Sequence, residues 1–135
     1  MSKIETTYLG NFKTKNFHSE SKKEIQTDAP TDNQGKGEYF SPTDLVVTAI
    51  VACILTISGQ AAQTSGFSIN GAKAVSNKIM TSETPRRIAE IQIDFDFSIC
   101  NLNEKQQTII QRISQTCPVA LSLHPDIKKQ FNFKF

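Results

Sequence analysis

The order of apolar and polar positions divides this chain into strand-like and helix-like stretches. Thr6 to Leu9 reads as a strand, Gly10-Asn11 as a turn, Phe12 to Phe17 as a second strand and Lys22 to Thr27 as a third. From Asp28 to Glu38 the residues Pro30, Asp32, Asn33, Gly35 and Gly37 make a polar loop. Ser41-Pro42-Thr43-Asp44 then opens a helix. Ser suits the N-cap, Pro the first helical position, and the acid at the third can reach back to the cap. The apolar run from Leu45 to Ile57, broken by Thr48 and Thr56, carries the helix to about Thr64, where Ser65-Gly66 ends it. Its first half is apolar all round and rich in β-branched residues. Packing rather than local preference must hold it, and it is expected to be buried on most sides.

Two strand-like stretches follow, Ile69 to Ser76 and Lys78 to Thr81, with a turn at Thr84-Pro85-Arg86-Arg87. From Ala89 to Phe97 apolar and polar residues alternate. That predicts a strand with Ala89, Ile91, Ile93, Phe95 and Phe97 on its buried face and Glu90, Gln92, Asp94 and Asp96 on the other. Asn103-Glu104 opens a second helix with Ile109, Ile110 and Ile113 as its apolar positions, ending near Cys117-Pro118. A short helix or turn covers Val119 to Leu123, and Ile127 to Phe135 forms a last strand. Strands, long helix, strands, helix, strand is an α+β order with a mostly antiparallel sheet. Neither a linker nor a repeat interrupts it, so residues 1–135 read as one domain.

Composition narrows the function classes. The apolar content is a modest 38% with no Trp, which points to a core completed by a second subunit. The formal charge is +2 with scattered basic residues, which argues against a nucleic-acid partner. MSKIETTYLG lacks the apolar run of a secretory signal, and Leu45 to Ile57 falls short of the ~20 residues that span a bilayer, so a cytosolic protein without a membrane role is expected. Thiols stay reduced in that compartment. The chain has three, Cys53, Cys100 and Cys117, in spacings that match no zinc template, and only two histidines, His18 and His124. No metal or resident cofactor is expected.

Cys53 lies in the middle of the apolar helix, where a buried core thiol is the ordinary reading and a reactive one the exception. Cys117 precedes Pro118 and a helix-compatible Val-Ala-Leu-Ser-Leu. That puts it at or near an N-cap, where the helix dipole favours a thiolate, although a small apolar filler fits as well.

Read with their surroundings, the two cysteines resemble those of the OsmC/Ohr family of thiol peroxidases. The features that carry the resemblance are Ser-Pro-Thr-Asp-Leu at 41 to 45, Ala-Cys at 52 to 53 and Thr-Cys-Pro-Val at 116 to 119. The Gly-rich loop before Ser41, Gly66 to Gly71 after the helix and Pro85-Arg86-Arg87-Ile88 before the long strand extend it over nearly the whole chain. The resemblance implies an intertwined homodimer in which sheets wrap a buried central helix and active sites lie at the interface. It also implies Cys53 as the peroxidatic residue, Cys117 as its resolving partner, an organic hydroperoxide as substrate and an external dithiol such as a lipoyl group as reductant. The chemistry agrees: a thiolate attacks the O–O bond, and a second thiol converts the sulfenic acid to a disulfide.

The chain departs from the pattern in two places. The best-studied peroxidases of the family use an Arg from the N-terminal strands to stabilise the thiolate, whereas the arginines here are Arg86, Arg87 and Arg112. The replacement cations are Lys13, Lys15, His18, Lys22 and Lys23, with His18 ranked first. Those peroxidases also place Glu directly after the Pro, where this chain has Thr43, and Asp44 follows as a helix cap. Glu38 and Tyr39 are expected at the pocket mouth, and Cys100 and His124 outside the site. Two readings follow: a cysteine peroxidase, or a small-molecule binding module of the same fold with slow or no peroxide chemistry. A structural dimer with filler cysteines is weaker.

Overall fold

Ser41 begins the element on which the fold is built. Its hydroxyl accepts the Asp44 N–H (3.1 Å), and the Asp44 carboxylate accepts the Ser41 N–H (2.9 Å). This reciprocal capping box starts helix α1, Pro42–Thr64. At its other end Gly66 takes φ +81°. The Phe67 N–H reaches the Ala62 carbonyl and the Gly66 N–H the Gln63 carbonyl, the paired bonds of a Schellman stop.

The computed structural model describes all residues, 1–135. They form two compact units, Met1–Val46 and Val47–Phe135, and the boundary falls within α1. The first unit is a three-stranded antiparallel meander of β1 (Ile4–Gly10), β2 (Lys13–His18) and β3 (Lys23–Asp28), in the order β1-β2-β3. The polar loop after it starts in the interior: Asp28 is fully buried, Ala29, Pro30 and Gly35 are half-buried, and the other residues to Glu38 are exposed.

The second unit contains most of α1, then β4 (Lys73–Met80), β5 (Ile88–Asp96), α2 (Glu104–Ser114), α3 (Pro118–Leu121) and β6 (Lys128–Lys134). Its sheet has the order β4-β5-β6, with β4 antiparallel and β6 parallel to the central strand. Ile91, Ile93, Phe95 and Phe97 are all but inaccessible. On the same face Phe95 stacks on Phe133 at 5.2 Å between ring centroids, and Phe97 on Phe135 at 5.7 Å. The opposite face is polar: Asn132 donates to Asp94 (2.7 Å), and Lys128 and Lys134 pair with Glu90 and Asp96. The chain is therefore α+β, with two three-stranded sheets and helices.

Four expectations change. One strand, β4, replaces the two anticipated between Ile69 and Thr81. Asn70-Gly71 forms a turn closed by the Ala72 N–H on the Ile69 carbonyl, with Gly71 at φ +88°, which removes Ile69 to Ala72 from the ladder. On β5 the buried residue is Ile88, not Ala89. The register slips where Ile79 faces Glu90 but Met80 faces Ile88, and this bulge turns Ala89 off the core face. Helix α1 buries a single stripe, Val47, Ile50, Ile54, Ser58 and Ala62, rather than most of its surface. Finally, α1 has 23 residues and is long and apolar enough to cross a membrane by length and composition, although the apolar run within it looked too short. Only 28% of its most apolar window is buried within the chain.

The bulge makes a paired prediction. Ile88→Ala should cost about 2 kcal/mol or more, and Ala89→Ser should stay within about 0.5 kcal/mol, by denaturant unfolding. Equal costs would contradict the register.

Candidate active site

Three elements of the second unit converge on Cys117. Helix α2 starts on a capping box between Asn103 and Gln106 and ends at Ser114. Three residues later Cys117 becomes the N-cap of α3, with Pro118 at the first helical position. The Ala120 N–H donates to the Cys117 sulfur at 3.4 Å, and the thiol points at the Ile50 carbonyl of α1 at 4.0 Å. The residue has no solvent exposure. Burial pushes its thiol up, the neighbouring Cys53 adds to the shift, and the Ala120 and Val119 N–H groups oppose it without cancelling it. The cap position anticipated from the sequence is therefore present, but the thiolate preference drawn from it is reversed. Desolvation outweighs the short helix.

Cys53 stands on α1 three residues beyond Ile50, at the edge of the buried stripe, and is half-buried. Its thiol interacts with that of Cys117 by a side-chain hydrogen bond. Both are free thiols. Residues 64 positions apart in the chain are thus neighbours, one partly open to solvent and the other enclosed. Such a pair can do what an isolated thiol cannot: the open sulfur can be oxidised, and the enclosed one can then close a disulfide with it.

The first unit holds the remaining candidates. Lys13 lies 3.3 Å from Asp28 and 3.5 Å from Glu38, and the Glu38 N–H donates to the same Asp28 oxygen at 3.0 Å. Glu38 is therefore gathered with Lys13 and Asp28. Among the anticipated cations Lys13 is the one between two carboxylates, which raise its pKa against the opposing effect of desolvation. His18 ends β2, and its Nδ1 is taken up by the Ser21 hydroxyl (2.7 Å) and N–H. Lys15 pairs with Glu24, and Lys22 lies over the Phe17 ring. Asp44 serves the helix cap. Asp28 was missed: at the end of a β-strand and the start of a polar stretch, nothing in its neighbours' polarity signals burial. Cys100 follows β5, donates weakly to the Asn70 carbonyl (3.9 Å) and is pushed up by burial and Asp96. His124 is exposed and accepts the Asp126 N–H.

The family model for OsmC-like proteins matches residues 35–132. The chain belongs to the OsmC-like family. A Psychrobacter arcticus 273-4 protein named for an osmotic-stress-induced detoxification response is 43% identical, with a TM-score of 0.93 over 99% of this chain and 96% of that one. At lower identity, the organic hydroperoxide resistance protein OsmC of Legionella pneumophila (11%, TM-score 0.78, 100% of this chain and 97% of that one) shares the fold. So does OhrB, the organic hydroperoxide resistance protein of Bacillus subtilis (12%, TM-score 0.72, 99% and 98%). No curated protein is significantly similar to the chain.

Two pH-dependent outcomes follow. With Cys53 and Cys100 replaced by Ser, Cys117 should still alkylate only at a pH above that of an ordinary thiol, because burial is the leading cause of its shift. A midpoint at or below the ordinary value would contradict this. The Asp28 carboxyl is held below its usual 3.8, first by the Glu38 N–H and then by Lys13, against desolvation. Its contribution to stability is complete above the unfolded value and is lost as pH falls through the lowered folded one. Asp28→Asn should reduce stability at neutral pH and flatten the acid limb below about pH 4, read by denaturant unfolding across that range.

Proposed function

We propose that the protein is a cysteine-dependent peroxidase that reduces organic hydroperoxides. The observation that carries the reading is the half-open Cys53 thiol against the enclosed Cys117 thiol, in a family with members named for organic hydroperoxide resistance. Cys53 as thiolate attacks the distal peroxide oxygen. The O–O bond breaks, the sulfur is oxidised to sulfenic acid, and the alkoxide leaves and takes up a proton as alcohol. Cys117 then condenses with the sulfenic acid, forming the S–S bond and releasing water. An external dithiol of the lipoyl kind restores both thiols by exchange and leaves as its own disulfide.

A protonated resolving thiol suits this order. It competes poorly for peroxide while Cys53 is reduced, so oxidation begins at the open sulfur. The working form is a cytosolic homodimer. The incompletely covered, apolar α1 supports a partner subunit, because exposed apolar surface of this extent marks an interaction face. The alternative, a binding module without fast chemistry, draws on the engagement of Lys13, Lys15 and His18 by their own neighbours and on the absence of Arg from the first unit.

Single-turnover trapping separates the two readings. After one equivalent of cumene hydroperoxide, Cys117→Ser should accumulate sulfenic acid at Cys53, detected as a dimedone adduct, and Cys53→Ser should consume no peroxide. Unmodified Cys53 in Cys117→Ser, with wild-type protein also inert, would leave the binding module. Sedimentation should give twice the mass of one chain.

A further inference from the structure

Burial alternates along β6, so Lys129, Phe131 and Phe133 share its half-buried side, and Lys128, Gln130 and Asn132 its exposed side. Where that pattern asks for another apolar residue, the chain places an ammonium. Lys129 lies opposite Ile91, which is fully buried. Its Nζ donates to the Ile127 carbonyl at 3.4 Å and forms no ion pair. Lys128 and Lys134, on the exposed side, are paired with Glu90 and Asp96. An ammonium has three protons to donate, so two of those on Lys129 are uncommitted within the chain.

Lys129 and Phe131 line an open pocket of about 520 Å³ with Ser114 and Gln115 at the C-terminal end of α2 and Ala120 and Leu121 of α3. That volume is within the range of small-molecule sites, roughly 300–1,000 Å³. No Asp or Glu lines the pocket, and neither does a cysteine. The end of a helix is negative and ordinarily opposes an anion. Here the last carbonyls of α2 are already bonded: Gln111 accepts the Ser114 hydroxyl (2.8 Å), Arg112 the Gln115 N–H (3.2 Å) and Ile113 the Thr116 N–H (2.9 Å). The other walls are apolar. Phe131 and Ala120 are half-buried, and Leu121 is left 71% exposed.

We propose that this pocket binds a small organic carboxylate with an aliphatic chain. The carboxylate sits on Lys129, and the chain covers Phe131, Ala120 and Leu121. An inorganic anion would leave Leu121 in water, and a neutral chain would leave the ammonium without a counter-charge. The site is separate from the thiol pair, and it stands or falls independently of the peroxidase reading.

The test is a titration of the intact protein with octanoate, followed by backbone amide chemical shifts. Saturable shifts are expected at Ser114, Gln115, Ala120, Leu121, Lys129 and Phe131. Lys129→Met keeps the apolar stem and removes the charge, and it should weaken octanoate by about tenfold, the scale of a hydrogen bond to a charged group. Lys129→Arg should bind as wild type does. Octanamide should bind the wild type as weakly as octanoate binds Lys129→Met, and Leu121→Ser should weaken both ligands. The same spectra show whether each variant is folded. No saturable shifts at millimolar octanoate, shifts confined to other residues, or equal affinity in wild type and Lys129→Met would overturn the inference. Inorganic phosphate that occupies the pocket as tightly as octanoate would overturn it as well.

Discussion

Cys117 is a thiol with no access to water, held between the Ala120 N–H and the Ile50 carbonyl. Much of the second unit can be understood from that constraint. A sulfur can be enclosed there only if α1 offers a backbone carbonyl at the right height and α3 starts where Pro118 stops α2 from continuing. The rotation of α1 is fixed by its one buried stripe, Val47 through Ala62 at spacings of three and four. With that stripe turned inward, Cys53 falls at its edge rather than in its centre. The pair is therefore asymmetric by construction, with one sulfur reachable and the other dry.

Asymmetry divides the chemical labour. Burial keeps Cys117 protonated, so it does not compete as a nucleophile, and its nearness to Cys53 keeps it available as a condensing partner. In the peroxidase reading, first oxidation thus belongs to the sulfur that solvent can deliver substrate to.

The sequence made both cysteines legible through their local punctuation. Ser41-Pro42-Thr43-Asp44 and Thr116-Cys117-Pro118 announce a helix start and a cap, and both occur where their residues dictate. Alternation along β5 marked Ile91 through Phe97 correctly, and it failed only at Ala89 because a bulge depends on the partner strand, which no local pattern encodes. The exposed flank of α1 was misjudged for a related reason: an apolar run specifies that a surface must be covered, not whether the same chain covers it. Lys13 stood among the candidate cations, but the burial of Asp28 and its pairing with Lys13 were opaque, because a buried charge needs a partner that here comes from a different strand. His18 looked the better cation by position but is taken up by Ser21 in its own turn. Cys117's raised pKa was missed because helix-dipole reasoning is local and desolvation is not.

The central claim is that Cys53 and Cys117 are redox partners. It is met most directly by peptide mapping of wild-type protein under non-reducing conditions after one equivalent of organic hydroperoxide. The account predicts a single new cross-link, within one chain, joining the peptide that contains Cys53 to the peptide that contains Cys117, with Cys100 still alkylatable. Cross-links through Cys100, or a pair of thiols that both remain alkylatable while peroxide is consumed, would contradict it.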